Sequence, residues 1–284
     1  MLQIALGAAL DVTMESEHVL RVDGCQLRIR RSGTGPPILL LNGMGMSLST
    51  WAPLDRHLDG FDCIRVGTPG TGGILARQRV LTMRNYAALV GHLLDQLAIE
   101  RADVLGLSFG GMVAQQFAHD MPTRVRRLVL ASTSCGLGGA PSNPASWWNA
   151  MLADVWTTPS GWSPRSLATQ WSHLMLREFG ARWANGPRLS GFAEQIAAAS
   201  LWSSVAWLPQ LTHQTLVVTG TADALVPSAN ASILASRMPR ARIYRVHGGG
   251  HLCLLDRAAE VGPVIATFLN SLDVTAVNEA AELG

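Results

Sequence analysis

The run Pro37-Ile38-Leu39-Leu40-Leu41 limits the possible folds more than any other feature of this chain. A strand with one wet face alternates apolar and polar residues, whereas an unbroken apolar run suits a strand covered on both faces. Five further β-rich runs recur at Phe61–Val66, Val104–Leu107, Arg127–Ala131, Thr215–Thr219 and Arg242–Val246, after an alternating one at Cys25–Arg31. Helical patterns fall among them at Asn85–Leu97, Phe109–Asp120, Ser228–Arg237 and Ala258–Leu272. Strand alternating with helix predicts an α/β chain built on a mostly parallel sheet with helices on both faces.

The stretch from Ser134 to Pro209 breaks this alternation and contains no clear strand. It carries eight of the nine tryptophans: Trp147, Trp148, Trp156, Trp162, Trp171, Trp183, Trp202 and Trp207. We read residues 134–209 as a Trp-rich helical cap inserted between two parts of one core, 1–133 and 210–284. Such a roof suits an apolar ligand, although tryptophans at these positions also serve simply to pack a cap on a core. The tail after Asn270 is small and polar and is expected to fray.

Composition narrows the function. Hydrophobic residues make up 48% of the 284, enough for a core and too many for a disordered chain. All 22 basic residues are arginine, against 20 acids, and only Arg28, Arg30, Arg31 and Arg124, Arg126, Arg127 group tightly. These read as solvated faces beside strands, so no nucleic-acid partner is expected. No run approaches the ~18 apolar residues of a membrane span, and the apolar N-terminus lacks the basic start of a signal peptide. Cys25, Cys63, Cys135 and Cys253 form no C-x-x-C pair, which fits a reducing cytoplasm without disulfides or a zinc site.

The chemistry centres on Gly106-Leu107-Ser108-Phe109-Gly110. G-x-S-x-G between a buried strand and an amphipathic helix forms a sharp, strained turn that exposes the serine. The glycines avoid a clash across the turn, and the Phe109 N–H points where an oxyanion would form. A serine nucleophile needs a base and an acid to orient that base. Asp223 stands in Gly220-Thr221-Ala222-Asp223 directly after a strand. His251 follows the last strand beyond three glycines, free to reach Ser108, while His247 would continue that strand. The remaining histidines, His18, His57, His92, His119, His173 and His213, lack metal-ligand spacing, so neither metal nor cofactor is expected. A second oxyanion donor is expected after Leu41, in Asn42-Gly43-Met44-Gly45, at the Met44 N–H. The Gly70, Gly72 and Gly73 cluster lacks dinucleotide-binding spacing and reads as a flexible loop.

Taken in order, N-G-M-G, G-L-S-F-G-G, G-T-A-D-A-L-V-P and G-G-G-H-L resemble the α/β-hydrolases over nearly the whole chain. More narrowly, Leu41–Gly45, Ser108–Gly111 with Ala114–Asp120, and His251–Leu254 resemble intracellular medium-chain poly(3-hydroxyalkanoate) depolymerases. The resemblance implies an eight-stranded, mostly parallel sheet flanked by helices. It also implies a Ser-Asp-His triad acting on hydroxyacyl esters, carried here by Ser108, Asp223 and His251. Two positions depart from the wider superfamily: Asn42 stands where many members have His, and Gly67 where many have Asp. Relatives that use an Asp or Cys nucleophile are disfavoured by Ser108, and those that place Trp after the histidine by Leu252. The epoxide hydrolases, which also need cap tyrosines, are disfavoured by having only Tyr86 and Tyr244. The expected substrate is a small or oligomeric apolar ester. The competing reading is a hydrolase-like scaffold that binds a small ligand, or acts as a cyclase or decarboxylase, without an acyl-enzyme.

Overall fold

The computed structural model describes residues 17–69, 82–142 and 189–271. Eight strands form a single sheet in the order β1-β2-β4-β3-β5-β6-β7-β8. They are β1 (Glu17–Val22), β2 (Cys25–Ser32), β3 (Pro37–Leu41), β4 (Asp62–Val66), β5 (Ala102–Leu107), β6 (Val125–Ala131), β7 (Thr215–Gly220) and β8 (Ala241–Val246). β2 runs antiparallel to β1 and β4, and every other pairing is parallel. The helices are α1 (Met83–Gln96), α2 (Phe109–Asp120), α3 (Leu189–Ser200), α4 (Ala229–Arg237), the single turn α5 (Cys253–Asp256) and α6 (Ala258–Asn270). A 3-10 helix spans Leu48–His57.

Side chains alternate along each strand into two separate cores. Leu39 and Leu41 join Ile64, Val104, Leu128 and Val217 beneath α1, α2 and α4. Ile38 and Leu40 join Leu105, Val129, Leu216 and Val218 on the other face, beneath α6 and the 3-10 helix. Ile38, Leu39 and Leu40 are each fully buried, which accounts for the unbroken apolar run at this point in the chain. Each central strand contributes apolar surface to both layers, at roughly 25 cal/mol per Å² buried.

The expected strands and helices all form, with ends that match or shift by no more than two residues. β1 was not expected, because this half-exposed edge strand has a weak apolar signal. The arginine groups lie in and beside strands, but several are paired as well as solvated. Arg31 binds both oxygens of Asp62 at 2.8 and 2.7 Å, Arg126 forms a two-bond pair with buried Asp103, and Arg124 reaches Asp95 at 2.8 Å. The four cysteines are buried and form no disulfide. No described helix is long and apolar enough to cross a membrane.

Six of the tryptophans expected in a cap, Trp147, Trp148, Trp156, Trp162, Trp171 and Trp183, lie outside the described residues, as do Gly70, Gly72, Gly73 and the tail from 272. Trp202 and Trp207 serve the packing role. Trp202 Nε1 donates to Gln116 Oε1 at 2.7 Å, and Trp207 stacks on His119 with ring centroids 4.3 Å apart. Gln115 completes the same seam. Its amide donates to Gly111 O and Ser134 O and accepts from Ser204 Oγ at 2.8 Å. The two ends of the inserted stretch are thereby tied to α2, and they pair with each other at Gly136 and Ser203. Gln115→Leu preserves volume but strands these buried groups, so it is expected to lower unfolding stability by about 1–3 kcal/mol in a urea titration.

Candidate active site

Strand order decides where a site can form. From β3 the chain moves outward to β4, then returns across β3 to β5. The loops after β3 and β5 therefore leave in opposite directions and open a crevice at the carboxyl ends of the strands. Leu41 pairs with Gly106 in register, so Asn42 and Ser108 emerge side by side.

Ser108 occupies the turn between β5 and α2 with φ 54° and ψ −116°, a region that non-glycine residues rarely enter. The surroundings impose this conformation. Its N–H donates to Ala131 O at 2.9 Å, and its carbonyl accepts from Thr133 Oγ1 at 2.7 Å and Gly111 N–H at 2.9 Å. A Cβ on Gly106 would lie 2.3 Å from Gly110 O, and one on Gly110 would lie 2.1 Å from Leu41 O. Only glycine at both positions lets α2 start this close to the end of β3. Phe109, the first residue of α2, contributes an N–H that has no intrahelical acceptor. Its ring meets Tyr86 edge-on, with centroids 5.2 Å apart. Burial pushes up the pKa of the Tyr86 hydroxyl, and nearby Glu194 adds to the effect.

His251 reaches Ser108, and Asp223 reaches the far side of the His251 ring. His251 Nε2 lies 3.0 Å from Ser108 Oγ, and His251 Nδ1 lies 2.9 Å from Asp223 Oδ2. Asp223 Oδ1 accepts from the Leu225 and Val226 N–H groups, each at 2.9 Å, which fixes the carboxylate in place. The Asp223 side chain is fully buried, and the His251 side chain is 10% exposed. His247 is exposed just past the end of β8. Of this pair, it is His251 that stands within hydrogen-bonding distance of Ser108. Asp120, at the end of α2, pairs with His119 and Gln116 and is not part of this group; Asp154 lies outside the described residues.

Met44 and Gly45 form the turn after β3, closed by Met46 N–H donating to Gly43 O at 3.1 Å. The Asn42 side chain holds this turn, donating to Met46 O and Ser47 O, both at 2.9 Å, and accepting from Trp51 Nε1 at 2.5 Å. Asn42 thus uses both ends of its amide to brace the turn. Gly67 also has a local cause. Its N–H donates to Arg28 O at 2.8 Å, and a Cβ there would press within 3.1 Å of the same oxygen. Sequence reasoning missed Thr133 and Gln195. Thr133 had a signal, since it directly follows a central strand. Gln195 had none.

A cavity of about 30 Å³ lies behind Phe109, lined by Leu41, Asn42, Val66, Tyr86 and Val113. It has room for a water molecule or two but not an acyl chain. Burial pushes the Cys253 thiol up to about 12, only partly offset by its contact with Ser132, and Cys63 is also pushed up to about 12 by burial. Both stay protonated at neutral pH and are poor nucleophiles.

A hydrogen-bonded Ser, His and Asp at the switch point of this sheet order defines an α/β-hydrolase arrangement. The family model described as the alpha/beta hydrolase fold matches residues 36–258, and the chain belongs to that family. A poly(3-hydroxyalkanoate) depolymerase of Ectopseudomonas oleovorans is 34% identical over 82% of this chain and 84% of its own length. A 2-hydroxymuconate semialdehyde hydrolase of Pseudomonas sp. strain CF600 is 29% identical over 90% of this chain and 94% of its own. Among solved structures, the enol-lactonase from Burkholderia xenovorans LB400 aligns with TM-score 0.77 and 25% identity, over 89% of this chain and all of that one.

The thiol shifts give a direct check. At about pH 8, iodoacetamide is expected to leave Cys63 and Cys253 unlabelled in the folded protein and to label all four cysteines after unfolding, as read by peptide mass mapping.

Proposed function

We propose that the protein is a serine hydrolase that cleaves carboxylic esters, with hydroxyacyl esters as its substrate class, through an acyl-enzyme on Ser108. The observation that carries this reading is the continuous chain from Ser108 Oγ through His251 to Asp223, at 3.0 and 2.9 Å. Ligand-binding or decarboxylating scaffolds have little use for all three groups in this geometry.

In this reading His251 Nε2 removes the Ser108 proton as Oγ attacks the ester carbonyl carbon. Asp223 accepts the His251 Nδ1–H, fixes the tautomer and stabilises the imidazolium. The Met44 and Phe109 N–H groups hold the oxyanion, each worth ~3–4 kcal/mol of barrier. Collapse expels the alkoxide, which leaves with the proton from His251. Water, deprotonated by His251, then attacks the acyl-enzyme and releases the acid with Ser108 restored.

The depolymerase relative supports a hydroxyacyl chain, and the lactonase neighbour supports ester-type chemistry on this fold. We read residues 134–209 as the cap over the site. The anchoring of both its ends on α2, at Ser134 and at Trp202 and Ser204, supports this reading. The buried cysteines, none in a disulfide, support a cytoplasmic setting.

The test is hydrolysis of p-nitrophenyl esters from acetyl to dodecanoyl, together with 3-hydroxyacyl oligomers. Turnover is expected to peak at medium chain lengths and extend to the oligomers, and Ser108→Ala is expected to cut kcat by more than about 10⁴-fold. A fluorophosphonate should add one label, at Ser108. Full activity of Ser108→Ala, or no label on folded protein, would favour a scaffold without an acyl-enzyme.

A further inference from the structure

We propose that Gln195 is a positioning residue that holds the turn after β3 with its Met44 N–H aimed at the oxyanion. This rests on the acyl-enzyme reading above. Gln195 lies on α3, in the inserted stretch and 150 residues from the turn it touches. Its side chain is fully buried, and both ends of its amide are used. Oε1 accepts from Gly45 N–H at 3.1 Å, and Nε2 donates to Pro69 O at 3.4 Å. These two backbone groups belong to the loops after β3 and β4, strands that pair in register up to Leu41 and Val66. One neutral side chain thus joins two loops at the mouth of the crevice.

Three features make this a positioning contact as well as a filled space. Gly45 is buried with φ 63°, so without Gln195 its N–H would be left without this acceptor away from water. The turn is already pinned on its core side by Asn42 and Trp51, and Gln195 supplies the opposing hold. Finally, the Gly45 N–H belongs to the peptide that directly follows Met44, so its bond to Gln195 fixes the backbone next to the donor proposed for the oxyanion. A Gly45 N–H released by a variant would let the turn rotate and carry the Met44 donor off line. Oxyanion stabilisation depends on donors held in place before the reaction starts, so such rotation weakens the transition state more than substrate binding.

The experiment compares wild type, Gln195→Met, Gln195→Glu and Ser108→Ala as full chains on a p-nitrophenyl ester. It also measures inhibition by an alkyl trifluoromethyl ketone, whose adduct on Ser108 carries an oxyanion. Gln195→Met fills the volume without the amide. It is expected to lower kcat about 10- to 100-fold with KM within about threefold, and to weaken the ketone by the same factor as kcat. Gln195→Glu keeps an acceptor for Gly45 N–H and should recover part of the loss. Should Gln195→Met fail to fold, Gln195→Asn, one methylene short of Gly45, carries the same comparison. An unchanged kcat, or a loss confined to KM with unaltered ketone inhibition, would overturn the positioning role while Ser108→Ala remained inactive. Activity surviving in Ser108→Ala would instead overturn the acyl-enzyme reading itself.

Discussion

The backbone of Ser108 can hold its positive φ only because the surrounding structure leaves it no alternative. A strained residue of this kind costs roughly 1–3 kcal/mol. Here its N–H bonds the end of β6 at Ala131, and its carbonyl is held by Thr133 from the loop after β6 and by Gly111 from the first turn of α2. It is also held by close contact between α2 and the end of β3, which a methyl group at Gly110 would abolish. The same strain lifts Oγ out of the sheet edge toward His251. Much of the fold works to keep this one turn in place: the parallel strands that end together, the glycines that let α2 approach, and Thr133 beneath the carbonyl.

The crevice follows from topology. With β4 on one side of β3 and β5 on the other, two loops diverge, and the gap between them faces the N-terminus of α2. Such an N-terminus favours negative charge, because its first N–H groups have no helical partners. Asn42 shows how the neighbouring loop is kept in shape. Its amide spans a turn that has no regular secondary structure of its own, and Trp51 closes the contact from the 3-10 helix.

Helix α2 does two tasks on different faces. Its apolar residues, Val113, Ala114, Phe117 and Ala118, join the core beneath the sheet. Gln115 and Gln116, also buried, turn toward the ends of the inserted stretch and satisfy Ser204 and Trp202. The helix that carries the serine turn at its N-terminus is therefore also the one to which that stretch is fastened. A buried amide that satisfies several partners fixes the register of the attachment, because any slip would strand polar groups away from water.

The local chain determined the strands, most of the helices and the serine turn. Each of these depends on short-range rules: apolar residues alternating between two covered faces, a 3.6-residue repeat, and glycines flanking a serine between strand and helix. The pairing of Asp223 and His251 could be anticipated because each stands in the loop that follows a strand, in a sheet whose carboxyl edges coincide. The edge strand β1 was not legible, since it is half-exposed and gains its order from pairing with β2. The preference for His251 over His247 was legible, because His247 continues the line of β8 while three glycines carry His251 past its end. Gln195 was hidden entirely. Nothing near it in the chain marks a glutamine on a helix as the acceptor for an N–H 150 residues away. Such contacts arise only when distant segments pack, because a polar side chain acquires its partner from whichever backbone group the tertiary fold buries beside it.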